Sequence, residues 1–344
     1  MKIVYSINFT SITNPNPNTD FQKGENYKKY IVGRVNEFKG YPGLFAYYVN
    51  DEMPFYYNKD IRNITLTIHE LDPNHPALTV IMPFGEMPSL LNTTDIMGVD
   101  NYPIGNSKVS NVYYINSRDN EIALGKPQVQ VNQIYDMYAY NDTISGKPQP
   151  PTLQEMRSMS WQNIVLGAKG LLFYSLYEII KLNSTTPIEV RWKDIIEFTD
   201  EIWKYKDVIL SIDKVNKIEY IENNNVVFKH WKYNNNNYIA IVNLETEKEI
   251  FIIDLLDKYN INKEFGLGTF EKNGTEIILN LEPIDVMMIK FSKNSSNSNN
   301  LLIAFLIIII IIVFIALVVF FFRKLKIKYD TKIFVDSVSK LMND

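Results

Sequence analysis

Two adjacent carboxylates, Asp51 and Glu52, directly follow an aromatic, strand-like run at residues 43–49. Hydrolysis of a glycosidic bond needs one protonated and one ionised carboxyl group beside that bond. Acidic residues in loops are more often solvated surface, so their position must decide between the two interpretations. Other carboxyl, amide and tyrosine side chains also stand just past short apolar runs. They are Asp100 and Tyr102 after residues 95–99, Gln133, Tyr135 and Asp136 after residues 127–132, and Tyr174, Tyr177 and Glu178 after residues 171–173.

Short apolar runs alternate with helix-like segments through the first part of the chain, which predicts parallel strands joined by crossover helices. The predicted strands are residues 2–7, 43–49, 77–82, 95–99, 127–132 and 170–175, and the predicted helices include residues 26–39, 58–72 and 152–168. Thr152 and Glu155 have the spacing of a capping box at the start of the last helix. In a (β/α) barrel the active site lies at the carboxyl ends of the strands, where these carboxylates and tyrosines would meet.

The second half of the sequence changes in character after a charged helix predicted at residues 194–209. Residues 216–293 show hairpin-like strands, with Asn234–Asn237 as one turn, and predict a small antiparallel β-sandwich. The predicted α/β organisation has five parts. They are a partial TIM barrel at residues 1–212, the sandwich at 216–293, a polar linker at 294–300, a transmembrane helix at 301–322 and a cytoplasmic tail at 323–344.

Composition argues against several other classes of protein. The chain has 344 residues, a net charge of -4 and no cysteine, so it offers neither disulfides nor thiolate metal ligands. Its three histidines, His69, His75 and His230, do not pair at metal-ligand spacing. We therefore expect no metal and no cofactor. The sequence has no dense basic stripe before its C-terminal region, so we also expect no nucleic-acid partner.

Residues 301–322 are uninterrupted apolar sequence, which is long enough to cross the roughly 30 Å core of a lipid bilayer. Four basic residues follow this run, and by the positive-inside rule they predict a cytoplasmic tail and an extracellular or lumenal N-terminal region. Seven candidate N-glycosylation sites precede the run, and their positions do not contradict this topology. They are Asn8, Asn63, Asn92, Asn141, Asn183, Asn273 and Asn294.

Four segments, in this order, resemble a family of glycoside-hydrolase-like TIM-barrel proteins. They are FKGYPGLFAYYVNDEMP, ELDPNHPALTVIMP, DIMGVDNYPIG and PPTLQEMRSMSWQNIVLGAKGLLFYSLYE. The resemblance implies a retaining-type barrel hydrolase whose general acid stands at the end of the fourth barrel strand, at the position of Glu52. It also implies a nucleophilic Glu after the seventh strand, but the matching region has Gln133 and Asp136. The nucleophile is therefore Asp136 or Asp100, or it is missing.

If residues 43–49 form the fourth barrel strand, the first two β/α units of the barrel are absent from this sequence. The first 18 residues also lack the apolar core of a secretory signal. One hypothesis accounts for both observations: the sequence is an N-terminally truncated copy of a longer single-pass membrane protein.

Two functions remain open at the level of sequence. In the first, a membrane-anchored glycoside hydrolase uses Glu52 as acid/base, Asp51 to orient it, and Asp100 or Asp136 as the second carboxylate. Tyr48, Tyr102, Gln133, Tyr174 and Glu178 would line its sugar site. In the second, a catalytically inactive barrel serves as a carbohydrate-binding or adhesion ectodomain. Two carboxyl groups in one cleft, within about 10 Å of each other, would favour the enzyme.

Overall fold

Six parallel strands form the sheet that carries the candidate site in the computed structural model of this chain. The strands are β1 (Ile3–Ser6), β2 (Leu44–Asp51), β3 (Ala77–Ile81), β4 (Ile96–Asn101), β5 (Gln128–Gln133) and β6 (Gly170–Tyr174). They lie in the sheet in the order of the sequence, and every neighbouring pair is parallel. The sheet is curled like half of a barrel. Because all six strands run the same way, their carboxyl ends share one edge.

The structure describes most but not all of the chain. The described residues are 3–7, 25–82, 87–123, 125–137, 150–181, 186–215, 218–255, 259–293, 306–315, 317–321 and 323–325. Among them, two compact units are separated between residues 292 and 293.

Helices connect the strands, as the alternating pattern predicts. They are α1 (Glu25–Phe38), α2 (Asn58–Leu71), α3 (Met87–Leu90), α4 (Asn111–Ile122), α5 (Leu153–Leu166), α6 (Leu176–Lys181), α7 (Ile188–Lys204) and α8 (Lys206–Ile209). The predicted capping box is present at the start of α5, where the Thr152 hydroxyl accepts from the N–H of Glu155 and the Glu155 carboxylate accepts from the N–H of Thr152. The sequence pattern gave no signal for α4, because two of its three buried residues, Asn116 and Asp119, are polar.

The two faces of the parallel sheet bury different sets of side chains. On the outer face, helices α1 and α2 pack Ile31, Val35, Ile61 and Ile64 against the strands. The inner face carries a smaller aliphatic cluster, formed by Ala46, Leu78, Val80, Ile96, Val129 and Val131. Both faces are apolar, so the strands read as continuous hydrophobic runs rather than alternating ones.

Two four-stranded antiparallel sheets follow the parallel sheet, with orders β12-β13-β10-β7 and β11-β14-β9-β8. Their strands are β7 (Glu219–Tyr220), β8 (Val226–Tyr233), β9 (Asn236–Asn243), β10 (Glu249–Asp254), β11 (Tyr259–Phe265), β12 (Thr269–Asn273), β13 (Glu276–Leu281) and β14 (Val286–Lys293). One buried cluster joins Phe251 and Leu279 of the first sheet to Ile239 and Met287 of the second. The β8–β9 turn is shorter than predicted: Asn234 and Asn235 adopt positive φ, and β9 already begins at Asn236.

These sheets and the parallel sheet belong to the same compact unit. Trp161 and Ile164 of α5 form a buried cluster with Trp231 and Tyr238 of β8 and β9. The domain boundary expected between residues 212 and 216 therefore stays a prediction.

The second unit, residues 293–344, contains one helix, α9 (Leu306–Leu325), within its described part. This 20-residue helix contains an 18-residue stretch with a mean hydropathy of 3.3, so by length and composition it can cross a membrane. The first residues of the predicted transmembrane run (301–305), the linker at 294–300 and most of the tail (326–344) lie outside the described residues.

Three of the candidate glycosylation sites are described, and all three are exposed: Asn63, Asn92 and Asn273. Asn8, Asn141, Asn183 and Asn294 lie outside the described residues. Glycosylation stays a prediction.

Candidate active site

A cavity of about 540 Å³ opens where the carboxyl ends of the strands meet the inner face of the parallel sheet. Its lining combines three carboxyl groups, four tyrosines and five apolar side chains. They are Asp51, Glu52 and Asp100; Tyr48, Tyr102, Tyr135 and Tyr174; and Val4, Val80, Val131, Leu172 and Phe173. This size falls in the range of roughly 300–1,000 Å³ that is typical of small-molecule sites.

The end of β2 delivers both of its carboxylates to this cavity. A regular strand would direct adjacent side chains to opposite faces. Here the pairing with β3 shifts register between Tyr48 and Asn50, as in a β-bulge, and Glu52 has a φ of 52°. The N–H of Glu52 still donates to the carbonyl of Val80 at 2.9 Å, which ties the end of β2 to β3. A bulge that re-aims side chains is a common device beside active sites.

Asp100, near the end of β4, is the most buried carboxyl group of the cavity, with 7% of its surface exposed. The Glu52 carboxyl and the Tyr102 hydroxyl lie near enough to Asp100 to act on its protonation. Burial, and next the hydrogen bond and negative charge of Glu52, raise the pKa of Asp100 from its ordinary 3.8 to about 8. Burial disfavours the charged form, and a second carboxylate disfavours it further. Asp100 therefore holds a proton at neutral pH.

The tyrosines supply hydroxyl donors and aromatic faces. The Tyr48 hydroxyl donates to Asp51 Oδ1 at 2.5 Å. Burial is the main cause that raises the pKa of Tyr48 and Tyr102, so both hydroxyls stay protonated and can donate. The rings of Tyr102, Tyr135 and Tyr174 form a cluster with centroids 5.5 to 5.6 Å apart. This cluster is the largest aromatic surface of the cavity.

Three residues predicted for the site do not line the cavity. Gln133 instead binds the backbone of Ile104: its Oε1 accepts from the N–H at 2.8 Å, and its Nε2 donates to the carbonyl at 3.0 Å. Asp136 is buried beyond the end of β5, where it acts electrostatically on Arg191. Glu178 is buried in α6, and its N–H donates to Ser175 Oγ.

Two sets of contacts hold the loops that frame the cavity. They are the hydrogen bonds between Gln133 and Ile104 and those of the Arg191 side chain. Arg191 is almost fully buried and donates to the carbonyls of Pro151, at 2.6 Å, and Ile134. It thereby fixes the chain directly before Tyr135. Nothing in the local sequence around residue 191 indicates this role, because α7 and β5 are separated along the chain.

The sequence also gave no indication of the aliphatic part of the lining. Val4, Val80, Val131 and Leu172 face the cavity, but the strands are apolar on both faces, so inward positions cannot be read from alternation. Tyr135 is one of the polar residues that follow β5, but nothing in the sequence distinguishes it as a sugar contact.

The motif Asp72-Pro-Asn-His-Pro, which carried part of the family resemblance, is structural. Asp72 is buried and accepts from the Tyr47 hydroxyl at 2.8 Å and from His75 Nδ1 at 2.7 Å. These bonds fix the turn that enters β3, at the opposite end of the strand from the cavity. Among the described residues, no group of three or more His, Asp or Glu is arranged to hold a metal ion.

No family model matches the sequence, and no curated protein matches it either. Several solved structures share its fold. AmyP in complex with maltose superposes with a TM-score of 0.55 at 9% identity, over 86% of this chain and 76% of that chain. Eubacterium rectale Amy13B gives 0.52 at 11% identity, over 79% of this chain and 64% of that chain. An Anoxybacillus alpha-amylase gives 0.50 at 8% identity, over 78% and 64%.

The fold neighbours are glycoside hydrolases, and the likeness at these identities concerns the fold. This chain spans less than two thirds of the Eubacterium rectale and Anoxybacillus chains. Together, fold and neighbours define a chain with a glycoside-hydrolase-like fold.

Proposed function

We propose that this protein hydrolyses glycosidic bonds and that Asp100 and Glu52 are its catalytic carboxyl groups. The observation that carries the proposal is the carboxyl pair itself. One member is buried and has a pKa raised to about 8, its partner is the exposed Glu52, and both line the tyrosine-rich cavity at the carboxyl edge of the sheet. Two carboxyl groups whose environments separate their protonation states are the requirement for this reaction.

The electrostatics favour Asp100 as the general acid. The sequence led us to expect Glu52 in this role, but the buried member of the pair is the one that holds a proton at neutral pH. In the proposed reaction, Asp100 gives its proton to the leaving glycosidic oxygen while the Glu52 carboxylate bonds to the anomeric carbon. Water then displaces Glu52 from that carbon, and the Asp100 carboxylate takes up the proton of the water.

The closeness of the pair supports a retaining reaction. Inverting enzymes keep their carboxyl groups roughly 6.5–9.5 Å apart to leave room for a water molecule, whereas retaining enzymes keep them about 5–5.5 Å apart. Asp100 and Glu52 line the same cavity, and the charge of Glu52 acts on Asp100. We propose that a bound glycoside places its scissile oxygen between the two groups. Asp51 accepts a hydrogen bond from the Tyr48 hydroxyl, and in this proposal it orients either the sugar or Glu52.

The inactive carbohydrate-binding alternative has less support. The lack of a carboxyl pair in a shared cleft would have favoured it, yet Asp100 and Glu52 line one cavity. Asp136, the other candidate for the second carboxylate, does not line that cavity.

The remaining expectations are proposals about the setting of the site. We propose that the curled sheet of β1–β6 is part of a TIM barrel, supported by its consecutive parallel order and its fold neighbours. We also propose that α9 anchors the chain as a single-pass membrane protein whose first 300 residues are extracellular or lumenal, supported by the apolar run and the basic residues after it. Protease protection of residues 1–300 in sealed vesicles, with digestion of the tail, tests this topology.

A screen of the full chain against α- and β-linked chromogenic glycosides tests the hydrolase. We expect Glu52→Gln and Asp100→Asn each to lower kcat by about a hundredfold or more, since acid–base groups contribute 10²–10⁴. Glu70→Gln, an exposed carboxylate on α2, is the matched control and should keep full activity. NMR of the first product formed reports retention or inversion at the anomeric carbon. Activity that survives both cavity substitutions would refute the assignment.

A further inference from the structure

The polar groups of the cavity are mostly hydrogen-bond acceptors. Asp51 and Glu52 contribute carboxyl oxygens that can only accept when ionised, and protonated Asp100 contributes an acceptor oxygen beside its single donor. One tyrosine hydroxyl of the lining is already committed as a donor, since Tyr48 donates to Asp51 Oδ1. A ligand that enters this space therefore has to bring its own donors.

One oxygen atom of Asp100 also needs a hydrogen-bond donor from the ligand. Its Oδ1 is buried and has no hydrogen-bond partner within the described part of the structure. A buried acceptor left without a donor costs about 1–3 kcal/mol. A sugar hydroxyl or an ammonium group placed beside Asp100 would remove this cost.

The ionisable Asp and Glu side chains that line the cavity also give it negative charge. Among the described residues, those that line the cavity include three acidic side chains and no Lys, Arg or His. Apolar and aromatic walls surround these acids, and low-dielectric walls strengthen the field of a charged cleft. An anionic ligand would meet like charge with no cation to compensate, whereas a neutral or positively charged ligand would not.

We propose that the cavity selects sugar rings that are neutral or carry an ammonium group, and that it excludes acidic sugars such as uronic acids and sulfated sugars. This inference rests on the proposed function and names its class of substrate. The aromatic cluster of Tyr102, Tyr135 and Tyr174 contacts the ring of either kind of sugar, so the carboxyl groups decide between them.

Calorimetric titration of the full chain with matched methyl glycosides tests the proposal. The gluco and galacto series each provide a neutral sugar, its 2-amino derivative and its uronic acid, in both anomers. Within a series that binds, we expect the uronic acid to bind at least about tenfold more weakly than the neutral sugar, and the amino sugar to bind at least as tightly, because like charges repel in a desolvated site. Added salt should reduce both differences, since it screens partly exposed charges.

Two variants separate charge from shape. Asp51→Asn keeps the size of the side chain and removes one charge, and it should shrink the penalty on the uronic acid. Tyr174→Phe keeps the charge of the cavity and should leave the ratio unchanged. If a uronic acid binds as tightly as the matching neutral sugar, the proposed selectivity is refuted but the proposed hydrolase is not. Binding in the expected order without turnover supports the selectivity and refutes the hydrolase, and no binding by any of the sugars overturns both.

Discussion

Replacing Asp100 by Asn should make the protein more stable at neutral and alkaline pH. The carboxyl has an ordinary pKa of 3.8, and burial together with Glu52 raises it to about 8 in the folded protein. Between these two values the folded state holds a proton that the unfolded state has released. Stability therefore falls as the pH rises and levels off above about pH 8. Asn has the shape of the protonated acid and can donate a hydrogen bond to Glu52, but it does not titrate.

The size of the effect follows from the same values. Each pH unit in this window changes the free energy of unfolding by about 1.36 kcal/mol. From about pH 5 to about pH 8 the free energy of unfolding of the wild-type chain should fall by about 4 kcal/mol more than that of Asp100→Asn. At roughly 2 °C per kcal/mol for a unit of this size, the melting temperatures of the two proteins should diverge by about 8 °C over this range.

Urea and thermal unfolding of the full chain at several pH values measure this divergence, and the difference between variant and wild type cancels the other titrating groups. Asp51→Asn makes the same chemical change at a half-buried position of the same cavity and is the matched control, because it leaves the carboxyl group of Asp100 in place. Infrared spectroscopy gives an independent readout: a protonated carboxyl band should disappear above about pH 8 in the wild type and be absent from Asp100→Asn. A stability difference that is constant with pH to within about 1 kcal/mol, together with no such band, would refute the assigned protonation state.

Three further substitutions test other parts of the argument. Tyr102→Phe removes a donor that favours ionised Asp100, so the pKa of Asp100 should rise further, and a fall in the midpoint of its infrared titration would contradict this. Gly98→Ala places a methyl group 2.8 Å from a side-chain carbon of the neighbouring strand and should cost about 1–3 kcal/mol. Its control, Gly33→Ala, has open space in helix α1 and should stabilise by about 0.5–1 kcal/mol; equal effects of the two in urea unfolding would refute the packing argument. Arg191→Met removes two charge-assisted bonds to buried carbonyls and should cost about 3 kcal/mol, and a loss below about 1 kcal/mol would show that these bonds are not needed.

The sequence was sufficient to predict the parallel strands, because each is a short apolar run bounded by turn residues. All six strand ends fall within about two residues of the prediction, since strand ends coincide with polar residues such as Asp51 and Asn101. The sequence was not sufficient to predict α4. The buried face of this helix makes hydrogen bonds through side-chain amides: Asn116 Nδ2 donates to Asn163 Oδ1 at 2.6 Å. A helix that buries polar groups lacks the apolar period by which helices are recognised.

The choice of the second carboxylate depends on facts that no local pattern contains. Asp100 and Asp136 both follow apolar strands, and the sequence left the choice between them open. The register of the sheet places Asp51 beside Val80 and Val80 beside Gly98, which sets Asp100 two residues further along β4, next to the end of β2. Asp51 and Glu52 follow the bulge in β2, and both line the cavity together with Asp100. Register and bulge both arise from pairing between segments distant in sequence.

The residue type at position 100 is itself an argument for proton transfer. An amide there would have nearly the shape and polarity of a protonated carboxyl, and it would not destabilise the fold as the pH rises. A carboxyl differs from that amide in one respect that matters at neutral pH, which is that it can release its proton when a neighbouring atom becomes basic. The leaving oxygen of a glycoside becomes basic in this way as its bond to the anomeric carbon breaks. On the proposed function, a buried, protonated carboxyl beside a second carboxyl would cost stability and supply the proton, which is the balance expected at a catalytic site rather than in a structural core.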